Sequence, residues 1–399
     1  MTRFRAGHAA GADWREAVDA CLKELMQAPR AAARANQPRT KSPGSNPSRT
    51  SPPGTNPLGF LYVTDVIAEQ AEEILDRLRR ETGVEHWIGA TGIGILGASA
   101  QGSGEYYDQP AVSALIADLP DDSFRVFPGR GDDAAGAGSD WFETQRPNVA
   151  IVHADPRAQR LPVMLDRLAE ASGAFLVGGL ASSRGPMVQI AGEVSEGGAS
   201  GAWIGSSIEL VAGLSQGCAP IGPAHIATTA QKNVVMEIDG RPALDVFKEE
   251  IGDVLARNLE RCANFIYAAL PVGGSDTGDY LVRNLMGIDP NKGWIAIGDH
   301  IESGDGIMFT KRDRPSANAD LVKMLDRLKK RITRPIQGGL YFSCLSRGHN
   351  LFGDAGTEMA ILREQLGDIP LAGFFANGEI SHRRLYGHTG VLALFVEPE

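Results

Sequence analysis

One phrase occurs three times along this chain and constrains its fold more than any other feature: an amphipathic helix, a glycine, a short apolar strand and a turn of small residues. Ile74 and Leu78 lead through Gly83 into Trp87-Ile88-Gly89-Ala90. Met164, Leu165 and Leu168 lead through Gly173 into Leu176-Val177-Gly178-Gly179, and Met359, Ile361, Leu362 and Leu366 lead through Gly367 into Leu371-Ala372-Gly373-Phe374. Apolar residues at helical spacing predict a helix with one buried face, and a glycine just beyond it can take the left-handed conformation that ends a helix. Glycine-punctuated β-rich text between the copies, such as Ala202 to Leu214 and Val234 to Ile238, predicts hairpins as well as crossovers. The expected class is therefore mixed α/β (α+β), with layered mixed sheets flanked by helices rather than a purely doubly wound sheet.

Strands that end in Gly, Ala and Ser allow another backbone or a ligand to come close. Gly178, Gly179 and Ser182 are on this ground candidates for lining a ligand cleft. The alternative, that the small residues only let sheet layers cross tightly, stays open.

With 399 residues the chain is too long for one ordinary core, and two domains are expected. Asp13 and Glu16 form a capping box ahead of Trp14, Val18, Cys21, Leu22, Leu25 and Met26, so an amphipathic helix opens the chain. Residues 36–57 hold six prolines among Ser, Thr, Asn and Gly, the composition of a flexible segment. The expected division is 1–57 for that helix and segment, 58–252 for a first domain and 253–399 for a second, with a helix at Pro242 to Ile251 before the boundary.

Charge and cysteine usage exclude several function classes. Net charge is −10, yet residues 1–50 carry nine Lys/Arg against four Asp/Glu, a basic head on an acidic body. An acidic body repels phosphate backbones and the head lacks interleaved aromatics, so no nucleic-acid partner is expected. The four cysteines, Cys21, Cys218, Cys262 and Cys344, are scattered with no C-x-x-C, which suits a reducing, cytoplasmic setting. No apolar run spans a bilayer and Met1 to Trp14 has no signal-peptide character, so no membrane association is expected. Neither a metal site nor a cofactor is expected, because the eight histidines show no ligand spacing.

Three short motifs fail for want of context. Gly92-Ile93-Gly94-Ile95-Leu96-Gly97 matches a dinucleotide fingerprint, but Ala98 to Gly104 is poor helix text and no helix N-terminus awaits a pyrophosphate. Ala181-Ser182-Ser183-Arg184-Gly185 has the outline of a nucleophile elbow, yet strand-like residues follow it. Arg130-Gly131-Asp132 is a chance tripeptide.

The most distinctive text is residues 339–395. Gly339-Leu340-Tyr341-Phe342-Ser343-Cys344-Leu345-Ser346-Arg347-Gly348 is followed by a helix and then by Pro370 to Ile380, which includes Gly373-Phe374-Phe375-Ala376-Asn377-Gly378-Glu379-Ile380. Two strands joined by one helix bring their ends together, which groups Cys344, Arg347, Gly348, Asn377 and Glu379. Arg347 can hold a carboxylate through two parallel hydrogen bonds while Glu379 receives an ammonium. An internal Arg347–Glu379 ion pair is the alternative. Cys344, with Arg347 and His349 downstream, is either a lining or structural residue or a nucleophile, and Cys218 after Gly217 is read in the same way.

The Cys-x-x-Arg-Gly run, the Gly-Phe-x-Ala-x-Gly-Glu-Ile run and Tyr386-Gly387-His388-Thr389-Gly390 together resemble the C-terminal part of the FIST family. The N-terminal part is echoed by Gly178 to Ser182, Gly217-Cys218-Ala219-Pro220-Ile221-Gly222 and Asp239-Gly240-Arg241-Pro242-Ala243-Leu244. The resemblance covers roughly Leu58 to Phe395. It implies an intracellular sensory protein that binds a small ligand, an amino acid being the usual suggestion, and that signals through a partner in trans. The family's F-box relative implies an alternative role as a protein-binding adaptor, and a cysteine-dependent enzyme using Cys344 is a third reading.

Overall fold

The computed structural model describes residues 4–27, 54–129, 139–262, 265–273 and 278–398. Most of the Pro-rich stretch and the Arg130-Gly131-Asp132 tripeptide lie outside the described residues.

The threefold phrase is a threefold architecture. Each copy is the second half of a strand-helix-strand unit whose two strands pair in parallel. Thr55–Thr64 pairs with His86–Gly92 across the helix Ala71–Thr82, and Val149–Ala154 pairs with Phe175–Leu180 across Leu161–Ser172. Ile336–Cys344 pairs with Leu371–Ala376 across Thr357–Leu366. In each unit the glycine after the helix has positive φ (74°, 69° and 80° at Gly83, Gly173 and Gly367). Each also donates its N–H to a carbonyl four residues back, on Arg79, Ala169 and Arg363, at 2.8 Å. Only glycine takes this conformation without strain.

The repeat extends into the strands. Gly89, Gly178 and Gly373 are register partners of Leu61, Val152 and Tyr341. A Cβ added at these glycines would lie 1.7, 1.8 and 1.8 Å from the facing carbonyl oxygens. One residue further along, Tyr62, His153 and Phe342 meet at the centre of the molecule. The Tyr62 hydroxyl is 3.1 Å from His153 Nε2, and the Phe342 ring lies edge-on to both at centroid distances of 6.2 and 5.9 Å.

Each unit seeds a six-stranded sheet. One face of every sheet enters a shared core containing Phe60, Tyr62, Ile151, Val177, Phe342 and Phe374. The outer faces are covered by helices: Trp14–Met26 and Ala71–Thr82 over the first sheet, Leu161–Ser172 over the second, and Arg314–Arg331 with Thr357–Leu366 over the third. A nine-stranded sheet drawn from residues 219–311 packs around the helix Ala243–Ile251 and forms a separate lobe.

These sheets interleave the two stretches expected as domains. Gly94–Ser99, Gly102–Tyr107 and Glu209–Ser215 join the third sheet, while Glu379–His382 and Arg384–Tyr386 join the second. The chain also opens differently from the expectation, because a strand, Phe4–Ala10, precedes the first helix and pairs along its length with Ala111–Pro120. Its sequence, FRAGHAA, has no apolar alternation. Gly7 is needed because the helix lies flat on the strand, with a Cβ there meeting the Cys21 carbonyl at 2.3 Å. The helix cap is as expected: the Asp13 carboxylate accepts from Arg15 N and Glu16 N at 2.8 and 3.0 Å.

Candidate functional site

The end of the strand Ile336–Cys344 faces the separate lobe, and there the chemistry-bearing side chains gather. Ser215 pairs with Gly390 in the same sheet, which aligns the ends of Glu209–Ser215 and Gly390–Val396 beside it. Gly217, Cys218, His388 and Thr389 lie just beyond those ends. The lobe supplies Tyr267, Tyr280, Asn284 and Arg312.

Arg347 and Glu379 are both fully buried, but they do not answer one another directly. The partner of Arg347 is Glu358, on the helix of the same unit: the guanidinium Nε and Nη2 are each 2.8 Å from Glu358 Oε1. Glu358 also accepts from the Tyr341 hydroxyl at 2.6 Å, from Ser343 Oγ at 3.1 Å and from Gly348 N at 3.0 Å. Arg347 in turn approaches Tyr341 Oη at 3.3 Å and Ser215 Oγ at 3.4 Å. Burial opposes its charge, and the Glu358 carboxylate more than compensates, so Arg347 stays protonated beyond its ordinary range. Gly217 exists because of this packing: its φ is +68°, and a Cβ there would be 2.6 Å from Arg347 Nη1.

Glu379 has a different environment. Its Oε2 accepts from Thr389 N at 3.1 Å and from Thr389 Oγ1 at 2.7 Å, whereas Oε1, equally buried, has no hydrogen bond among the described residues. Burial pushes this carboxyl up to about 8, against the Thr389 bonds, the field of Arg347 and the nearby Cys344 thiol, which all favour the ionised form.

Cys344 is 9 % exposed. Burial and then the Glu379 carboxylate push its thiol up to about 11. Donors partly oppose this shift: Ser346 Oγ is 3.2 Å from the sulfur, and the backbone N–H groups of Ser346 and His388 also favour the thiolate. Ser346 Oγ lies 3.0 Å from His388 Nδ1 and accepts from Arg312 at 3.0 Å, and His388 Nε2 is 3.3 Å from Asn284 Oδ1. His388 is a non-glycine residue at φ +67°, a strained conformation that concentrates at functional sites. Burial and three nearby arginines lower its imidazole to about 4, so it is neutral at pH 7. Burial likewise pushes the Cys218 thiol up to about 12, with Arg312 and Arg347 opposing.

The remaining expected residues are placed as follows. Gly348 lies behind the Arg347–Glu358 pair, at φ +54°. Asn377 is exposed, and its backbone N–H bonds to the Leu180 carbonyl at 3.0 Å. Gly178 and Gly179 are packed strand positions, with a Cβ on Gly179 meeting Ala376 Cβ at 2.8 Å. Ser182 knits the three units together, donating to the Phe375 carbonyl at 2.6 Å and accepting from Ile93 N at 2.9 Å.

The sequence reasoning missed Glu358, Ser346, Thr389, Arg312 and Asn284. A glutamate on an amphipathic helix normally marks its solvent face, so Glu358 carried no signal of burial. The separate lobe is remote in sequence from the strand end that Arg312 and Asn284 reach.

Residues 57–241 match the profile described as the FIST N domain, and residues 243–382 the one described as the FIST C domain. Two uncharacterized proteins of Mycobacterium tuberculosis are 38% and 34% identical over 195 and 192 residues. In both cases the alignment covers 46% of this chain and 50% of the relative, so the chain spans about half the length of the curated relatives it matches. An uncharacterized protein of Mycobacterium bovis is also 34% identical over 192 residues, with the same coverage.

Proposed function

The chain belongs to the FIST family, whose domains are sensory modules of signal-transduction proteins, and on that premise we propose that it senses a small ligand at the junction between Cys344 and the separate lobe. The observation that carries this reading is a set of buried polar atoms left without hydrogen bonds there: Glu379 Oε1 and Arg312 Nε. Buried polar atoms are nearly always paired, and leaving one unpaired costs about 1–3 kcal/mol. A ligand that completes both is favoured by that amount at each.

The chemistry favours an amino acid or a related metabolite carrying a carboxylate and an ammonium. Arg312 is half-buried and already holds Ser346, so it is the guanidinium positioned to take the carboxylate; Arg347 is committed to Glu358. An ammonium beside Glu379 would draw that carboxyl back to its ionised form and gain a charge-assisted bond.

Occupancy has a physical route to the surface. Asp320, on the helix Arg314–Arg331, accepts from Ser215 Oγ at 2.9 Å and Gly217 N at 3.2 Å. The outer face of the same helix presents Val322, Lys323, Asp326, Arg327 and Lys330 to the surface. A partner in trans docking on that face would sense any shift of the helix.

The test is a thermal-shift screen of the full chain against amino acids and their keto- and hydroxy-acid relatives. A ligand at about 100 times its dissociation constant adds about 2.7 kcal/mol of stability. Arg312→Ala should abolish the shift while keeping the unliganded melting temperature within a few degrees. If no compound shifts the wild-type protein, the sensor reading fails and an adaptor role gains.

A further inference from the structure

We propose that Cys344 is a nucleophile that takes an acyl group from a small activated ester or thioester, with the unpartnered Glu379 carboxyl oxygen as the base that receives its proton. The proposal deepens the sensor reading, since it concerns the same junction.

Three observations converge on it. The Cys344 sulfur is bordered by Ser346 Oγ at 3.2 Å, and that hydroxyl is fixed by Arg312 on one side and His388 on the other. Arg312 donates to Ser346 Oγ, and the single hydroxyl hydrogen is shared between the sulfur and His388 Nδ1, so a thiolate, the stronger acceptor, draws it to the sulfur. Glu379 interacts with the thiol; Thr389 holds its Oε2, while Oε1 is buried and has no other hydrogen bond among the described residues. Cys344 lies at the end of its strand and retains 9 % of its surface.

The step balances without any co-reactant. The Cys344 S–H proton passes to Glu379 Oε1 as sulfur bonds the acyl carbon and the carbonyl π pair moves onto oxygen. That pair then returns, the bond to the leaving oxygen or sulfur breaks, and Glu379 delivers its proton to the departing atom. The products are an S-acyl Cys344 and a free alcohol or thiol. A thiol pushed up to about 11 needs a base at the moment of attack, and a carboxyl pushed up to about 8 is better matched to that task than an ordinary one. Acyl transfer uses Glu379 first as base and then as acid, whereas simple alkylation needs no acid. The other charged and titratable groups around the pair are Arg347, Arg312, Cys218, Tyr267 and His388.

The experiment treats the full chain with p-nitrophenyl acetate and follows p-nitrophenolate release, with peptide mass mapping of the acetyl group. The expected result is one acetyl on the peptide carrying Cys344, at a rate that levels off above about pH 8 as Glu379 ionises. Glu379→Gln should slow acetylation roughly a hundredfold, and Ser346→Ala should slow it while melting like wild type. Acetyl spread over lysines or other cysteines overturns the proposal, as does a Glu379→Gln rate equal to wild type or a rate that climbs without a plateau towards pH 11. A Cys344→Ser protein that keeps its metabolite thermal shift would show that sensing survives even if the acyl step does not.

Discussion

Replacing Arg347 by alanine tests whether the fully buried guanidinium is a structural charge. The substitution leaves Glu358 with Tyr341, Ser343 and Gly348 as neutral donors but removes both guanidinium contacts at 2.8 Å. Removing one partner of a buried pair strands the other charge and typically costs 3–5 kcal/mol. The loss should fall in the upper half of that range, because Arg347 also touches Tyr341 and Ser215 and its removal opens a cavity among tightly packed groups. Arg347→Met combined with Glu358→Gln removes both charges, and it should recover part of the loss while keeping the neutral hydrogen bonds. Urea denaturation read by tryptophan fluorescence measures each variant, with the slope checking that the unfolding transition is unchanged. A loss below about 1 kcal/mol for Arg347→Ala at unchanged slope would refute the assignment and return Arg347 to the pool of ligand-binding groups.

Glu379 sets a pH dependence of the opposite sign to the common carboxylate case. Its folded-state value of about 8 lies above the unfolded value of about 4.3, so the fold prefers the protonated acid. The associated stability is complete below the unfolded value and is lost progressively as pH rises to about 8, a change on the order of 4–5 kcal/mol. Glu379→Gln keeps an oxygen for Thr389 and should flatten this slope; a pH–stability curve identical to wild type would contradict it. Gly178→Ala and Gly373→Ala each place a Cβ 1.8 Å from a neighbouring carbonyl, and both should unfold the protein or lower its melting temperature by at least about 3–4 °C, roughly the effect of a 2–3 kcal/mol loss in a chain of this length. An alanine tolerated at either position would mean that the parallel pair can move apart. Cys218, with its thiol pushed up to about 12, should alkylate with iodoacetamide at pH 7 far more slowly than free cysteine, and labelling at the free-cysteine rate would show the site to be open.

Much of the architecture was legible because it rests on local rules. Three amphipathic helices, each ended by a glycine, announce three strand-helix-strand units, and the glycines two residues into each following strand run reflect how closely its parallel neighbour approaches. The expected Asp13 cap on the first helix formed for the same reason, its partners being neighbours in sequence, although Glu16 reaches back to Ala12 N and not to Asp13 N. The strand Phe4–Ala10 was not legible, since what holds it is a full register with Ala111–Pro120, over a hundred residues away, and its own residues have no strand pattern.

The sequence alone determined that Cys344 and Ala376 would end adjacent strands of one unit, with Glu379 only three residues further on, since a single helix joins those strands and a parallel pair aligns its ends. The charge partner of Arg347 and the polar surroundings of Cys344 were decided only by tertiary packing. Which carboxylate satisfies a buried guanidinium depends on distances that helix docking sets to within an ångström, and the side chains of Glu358, Arg312 and Asn284 acquire their roles from that docking, not from their neighbours in the chain.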